Sequence, residues 1–417
     1  MIDEPIDDTW ISSLSTGLND HELRKRRFAE LGAVGSPLLF SEGGDPDRTY
    51  WAALNYKDVM AVGTANDVFS NEHGIMLGRA ENMARTFKSM PFTGSMLAMD
   101  DPRHYEIRNI VSGAFTPKSI KSMIGMIDDV VKDVAEDLIR NHPDGVADFR
   151  TEFANKIPAQ MTCRMMGIPA EDIDWIIREV VMMMQLYHPS HDDGQPIKWL
   201  RASRDMYKYA LQLAEKRKQD PTDDLTSAML SASVENRALT VDEYADFFSL
   251  LVNAGIETTA NIISAAFYFL DANTEQREDL ENNFNELAVT ACEELARIHS
   301  PIIHFMRTAV KETSVSGVDI KPGDRVVMFY HAANFDPLVF EDPFTFDVRR
   351  PLKPTQLSYG TPNSHFCLGA NLARAEIKSA LKAIFTYFPN FAPIYDEMTF
   401  CPSRWASGWR SMPVRFK

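Results

Sequence analysis

Cysteine is scarce in this sequence. Its 417 residues include four, Cys163, Cys292, Cys367 and Cys401, and no two form a Cys-x-x-Cys pair. A disulfide framework and a structural zinc site are therefore not expected, and the reading is a reduced, cytoplasmic protein. Positive charge is also short: 43 Lys and Arg against 59 Asp and Glu leave a net −16. That balance argues against a general nucleic-acid or anionic-membrane binder. Long apolar runs are missing, and stretches such as Phe247–Val252 are only core-sized, so no membrane span is expected. The opening MIDEPIDDTW has neither a basic n-region nor an apolar h-region, and no signal peptide is expected. No repeat, Gly/Ser linker or charge block divides the chain, which predicts a single domain over residues 1–417. With 45% apolar and 24% charged residues, the chain can bury a large core and is not disordered.

Periodicity supplies the architecture. Pro37–Leu54 sets two β-leaning runs around Gly-Gly-Asp-Pro-Asp, which predicts a hairpin. Between Ile120 and Ile139, Ile120, Met123, Ile127, Val130, Val131, Val134 and Leu138 recur at helical steps, one buried stripe. Thr240 with Glu243 reads as a capping box opening an apolar helix over Val241–Leu270. A helix so apolar on most faces must run through the middle of a helical protein. Ser314–Tyr330 alternates around Lys-Pro-Gly-Asp as a second hairpin, and a helix resumes after Gly369. The fold class is mainly α with a minor β region.

Chemistry concentrates in Tyr359–Arg374, YGTPNSHFCLGANLAR. Cys367 sits where a Gly/Pro/Asn loop enters a helix, so free N–H groups and the helix dipole favour a thiolate there. Gly369 leaves room for a flat ligand, and His365 offers a polar group on the same loop. Within the apolar helix, Glu257 and Thr258 follow Ala254 and Gly255. A carboxyl group there must pair or act, and a Thr hydroxyl can bond the carbonyl one turn earlier. Glu294 and Arg297 are spaced to pair on one helical face.

The Cys loop resembles the haem-binding loop of the cytochrome P-450 family, with Cys367, Gly369 and His365 on its motif positions. Further segments follow in the family's order. Ala254–Thr259 is similar to its oxygen-binding helix, and Glu294-Leu295-Ala296-Arg297 to its Glu-x-x-Arg helix. Arg350 resembles the third member of the associated ion-pair network. His104 and Arg108 fall on the start of a propionate-binding helix, and Phe305-Met306-Arg307 on a Phe-x-Arg element. The loop departs from the family in two ways. Its aromatic residue, Tyr359, stands one position further from the Cys than usual, Gly360 takes that place, and Asn363 replaces a Gly. Asn tolerates positive φ, so the loop turn is expected to form around Asn363.

The resemblance implies the cytochrome P-450 fold, with a long central helix over a haem, and a haem-thiolate monooxygenase acting with O2 on an apolar terpenoid, steroid or lipid-like substrate. It implies haem b, with Cys367 as metal ligand, Ala254 and Gly369 beside the haem, and His104, Arg108, Arg307 and His365 as propionate donors. Glu257 and Thr258 would relay protons, while Glu294, Arg297 and Arg350 would be structural. The substrate pocket would draw on Met83, Phe87, Met96, Leu97, Met183, Leu251, Ile302, Ile303 and Phe305, with Met182, Met184 and Tyr187 over the entrance and Trp405 near the C-terminal turn. With no fused flavin or iron–sulfur segment, electrons would come from a ferredoxin and its reductase, docking near Lys118, Arg374 and Lys378. A peroxide-driven peroxygenase and a haem-based sensor are the rival readings. Glu257-Thr258 speaks against the first, and no output domain accompanies the second.

Overall fold

A computed structural model describes residues 5–10, 18–45, 47–77, 95–184, 195–234, 237–401 and 405–417. The helices that position the site are α1 (Leu18–Val34), α2 (Tyr56–Thr64), α3 (Arg103–Ser112), α4 (Pro117–Asn141), α5 (Lys156–Met166), α6 (Ile173–Met184), α7 (Gln195–Gln219), α8 (Val241–Ala272), α9 (Phe284–His299) and α10 (Ala370–Tyr387). A six-stranded mixed sheet flanks them. Its strands are β1 (Ile6–Asp7), β2 (Leu38–Ser41), β3 (Thr49–Ala53), β4 (Phe69–Ser70), β5 (His304–Ala309) and β6 (Arg325–Phe329), in the order β1-β2-β3-β6-β5-β4.

The expected hairpin is β2–β3, with Leu38 opposite Ala52 and Ser41 opposite Thr49. The later β segment forms two units. Thr313–Val315 pairs with Val318–Ile320 across Ser316-Gly317, both at positive φ. After Lys-Pro-Gly-Asp, β6 instead joins the main sheet, antiparallel to β5 and parallel to β3. The break at that turn redirects the chain because the face of β6 bearing Val327 and Phe329 is needed to cover a core with Phe28 and Phe40.

Helix α8 is the axis of the molecule. Thr240 and Glu243 form the expected capping box, each side chain bonding the other's backbone N–H. The helix runs for 32 residues, and α5, α6, α7, α9 and α10 all pack on it. It is long and apolar enough to cross a bilayer, but 72% of its most apolar window is buried inside the protein. Its apolarity is that of a core helix covered on most faces. The stripe read on α4 is also present: Ile120, Ile127, Val130, Val131, Val134 and Leu138 are buried where α4 packs against α10 and α5.

Candidate haem-thiolate site

The Cys367 loop hangs between α9 and α10. Gly360, at φ 86°, makes its left-handed turn. Asn363 does not take positive φ, contrary to expectation, and its side chain supports the loop instead. Its Oδ1 accepts the His365 N–H at 2.8 Å, a short side-chain turn, and its Nδ2 donates to the Gly63 carbonyl at the end of α2. The Cys367 N–H donates to the Tyr359 carbonyl at 2.9 Å. The sulfur opens onto an internal cavity, yet lies deep within the protein. Burial pushes the thiol's pKa up, while the Gly369 and Ala370 N–H groups, Arg108 and Arg374 pull it down. Those N–H groups belong to the N-terminus of α10, where Gly369 is the cap, so the helix start faces the sulfur. A Cβ added at Gly369 would meet nothing within 4 Å, leaving open space beside the cysteine.

One edge of the same cavity is basic. His104 and Arg108 from α3, Arg307 from β5 and His365 from the loop all line it. The rings of His104 and His365 lie 3.9 Å apart between centroids. The Arg108 guanidinium donates to the Phe366 carbonyl at 2.7 Å. His104 Nδ1 lies 3.2 Å from Asp101, but its Nε2 has no partner. Burial, then Arg307, His104 and Arg108, drive the His365 pKa down to about 2. Burial also lowers the pKa of Arg307. Arg108 and Arg307 carry the charge here, the two imidazole rings are pushed toward their neutral form, and the two carboxylates of a haem would pair with the guanidiniums and accept from the rings. Together with the cysteine, its N–H groups and the space beside Gly369, they fit a haem. Sequence reasoning missed Asn71, whose Nδ2 lies 2.8 Å from His365 Nε2 and whose N–H donates to Asp100 at 2.8 Å.

Helix α8 brings Ala254, Gly255 and Thr258 to the cavity. The Thr258 hydroxyl donates to the Ala254 carbonyl at 2.7 Å, one turn back, as read from the sequence. Glu257 departs from expectation, because a helical step of about 100° turns it off the cavity. There it receives Arg150 at 2.6 Å and Asn261 at 3.3 Å. Arg150 is itself buried and also donates to the Trp409 carbonyl at 2.7 Å.

Of the expected pocket residues, Met96, Leu97, Leu251, Ile302 and Phe305 line the cavity, with Met184 and Trp405. Met183 does not. It is buried in the core, and its neighbour Met184 takes the lining position. Ile303 is also excluded, packed with Phe28, Phe40 and Phe329 in the core beside the sheet. Its chain is extended there, so adjacent side chains point to opposite sides, and only Ile302 meets the cavity. Met83, Phe87 and Tyr187 lie outside the described residues. Glu376 was not anticipated. It lines the cavity from α10, burial raises its pKa to about 8, and its Oε1 has no partner.

Behind the cysteine loop, Glu294 receives both Arg297 (2.7 and 2.8 Å) and Arg350 (2.9 Å). Arg297 also donates to the Asn334 and Pro343 carbonyls, so the buried charges are paired and hydrogen-bonded. Of the three cations expected at a partner surface, Lys118 and Lys378 are exposed. Arg374 is instead engaged by Glu293 at 2.5 Å, with its guanidinium 4.4 Å above the Tyr359 ring.

A thiolate loop, a central helix with a small-residue turn and a basic cradle around one cavity define a haem-thiolate protein. The cytochrome P450 family model matches residues 47–394, and the chain belongs to that family. It is 34% identical over 414 residues to the methyl-branched lipid omega-hydroxylase of Mycobacterium tuberculosis, covering 98% of this chain and 95% of that protein. It is 33% identical over 369 residues to the steroid C26-monooxygenase of Mycolicibacterium smegmatis, covering 88% and 82%. The structure of Mycobacterium marinum cytochrome P450 CYP268A2 in complex with pseudoionone superimposes with a TM-score of 0.90 at 28% identity, covering 100% of this chain and 99% of that one.

Proposed function

We propose that the chain is a monooxygenase that carries haem b and inserts one oxygen atom of O2 into an apolar, lipid- or steroid-like substrate, with electrons delivered by a separate ferredoxin and reductase. The observation that carries this reading is the single cavity on which Cys367, the Ala254–Thr258 turn and an apolar wall meet. The named relatives act on a methyl-branched lipid and a steroid, molecules that an apolar wall of this kind would suit.

Bound haem supplies the iron chemistry that activates O2. Cys367 holds the iron as thiolate, and the Gly369 and Ala370 N–H groups sustain its charge. His104, Arg108, Arg307 and His365 bind and orient the propionates. Ala254 and Gly255 leave room for a small molecule next to Thr258, whose hydroxyl holds a water or passes a proton. Glu257, held by Arg150, would help deliver protons from solvent to Thr258. Leu97, Leu251, Ile302 and Phe305 exclude water and hold the substrate by apolar contact, worth roughly 25 cal/mol per Å2 buried. Lys118 and Lys378 offer positive charge to an acidic ferredoxin.

Titrating the ferric, haem-loaded protein with branched lipids, steroids and small polar molecules tests this reading. Lipophilic ligands should displace the iron-bound water and shift the spin state, and turnover should follow with NAD(P)H, reductase and ferredoxin. A spin shift only with small polar molecules would overturn it.

A further inference from the structure

Resting on the haem reading of the cavity, we infer that Glu376 is a proton-binding site coupled to the haem's electron: when the iron is reduced, the Glu376 carboxylate takes up a proton from solvent. Glu376 lies on α10, is 1% exposed, and lines the same cavity as Cys367. Its Oε1 has no partner. Burial alone shifts its acidity, and no charged group contributes. Six helical steps separate it from Ala370, whose N–H helps hold the sulfur, about 9 Å at 1.5 Å per residue.

A buried carboxyl group without a partner is held neutral, because its charged form has lost water and gained nothing in return. Its pKa of about 8 brings the two forms close in free energy just above neutral pH. Reduction then adds one negative charge to the group that Cys367 holds. At roughly 10 Å and an effective dielectric of about 20, a unit charge moves such an equilibrium about tenfold. One electron enters the iron, one proton joins the carboxylate, and the O–H bond is the only bond formed. Titratable groups on the helices packed against α10 do not answer in its place. On α8, Glu257 is held by Arg150. On α9, Glu293 receives Arg374, and burial pushes the Cys292 thiol up to about 12. On α5, the Cys163 thiol is likewise pushed up to about 12. On α4, Asp128 accepts from the Ser379 hydroxyl at 2.6 Å. Elsewhere in the cavity, the rings of His104 and His365 are pushed toward their neutral form. Burial raises the phenols of Tyr330 and Tyr359, and the arginines keep their charge. Among the described cavity residues, Glu376 is the acid whose proton is in play near pH 8.

The test is the reduction potential of the haem-loaded protein, followed spectrally against pH with redox dyes. At about pH 6 to 7 the wild type and Glu376→Gln should agree, since both side chains are then neutral. By about pH 10 reduction of the wild type should be about tenfold less favourable than that of the variant, a fall of about 59 mV. Coincident profiles would overturn the inference. A difference that is the same at every pH would mark a merely structural role and overturn it too. A second readout is the reduced-minus-oxidised infrared difference at about pH 9, where the wild type should gain a protonated-carboxyl band that Glu376→Gln lacks. Absence of the band from the wild type, or its persistence in the variant, would sink the assignment. If Glu376→Gln takes up no haem, Glu376→Met, also neutral, is read in its place. A purified protein that binds no haem at all would fail the haem reading itself, whereas a haem protein with coincident profiles fails only the role of Glu376.

Discussion

Glu257 and Thr258 are neighbours in sequence, yet Thr258 faces the cavity while Glu257 turns off it to meet Arg150 across 2.6 Å. Arg150 is almost fully buried and cannot be lost without consequence. Arg150→Met leaves the carboxylate buried and unpaired, at a cost of about 3–5 kcal/mol in stability. Adding Glu257→Gln should recover most of that loss. Denaturant unfolding of both variants checks it, and equal stability of the single and double variants would show that the pair is not coupled.

Thr258 should couple electron use to product. Its hydroxyl bonds to Ala254 in the turn beside the cavity. Thr258→Ala is expected to bind haem and substrate but to divert reducing equivalents to hydrogen peroxide. Product formed per NAD(P)H consumed measures this, and an unchanged ratio would exclude the role. Glu257→Gln should slow turnover without this diversion, because an amide cannot exchange the proton that a carboxyl does.

Cys367 should be the axial protein ligand. Cys367→His should abolish the thiolate-type spectrum of the reduced carbon monoxide complex, and Cys367→Ser should do the same. Cys163 and Cys292 are buried thiols whose pKa values burial drives up to about 12, so Ser there should leave the spectrum intact.

Glu376 should make stability fall as pH rises. Burial lifts its pKa from 4.5 to about 8 in the folded protein. The folded state therefore keeps a proton that the unfolded chain releases between these values. The contribution is fully present below about pH 4.5 and is lost as pH approaches 8. Glu376→Gln stays neutral throughout, so its stability relative to the wild type should rise by several kcal/mol, roughly, from pH 4.5 to pH 8. Unfolding curves at both ends of that range measure the difference, and parallel wild-type and variant profiles would refute it.

Much of the site was legible because its signals are local. The capping box of α8, the Thr258 back-bond and the Glu294–Arg297 pair each span three or four residues, and helical geometry alone brings such partners together. The thiolate loop was legible through its resemblance to a family motif. What escaped was phase and distance. Ile303 and Met183 each lie one residue from a lining position, and one step along an extended chain or a helix changes the face entirely. Arg150 reaches Glu257 across 107 positions of sequence, and no local pattern announces such a contact.

The hold of Asn363 on Gly63 carries a consequence for engineering. A Cβ at Gly63 would collide with the Thr361 side chain, so any larger residue there would push the cysteine loop away from α2. The loop and the end of that helix are thus one transplantable unit. A chimera that takes the loop alone into a relative with a bulkier residue at this position should seat its sulfur wrongly, while one that takes both should seat it as here.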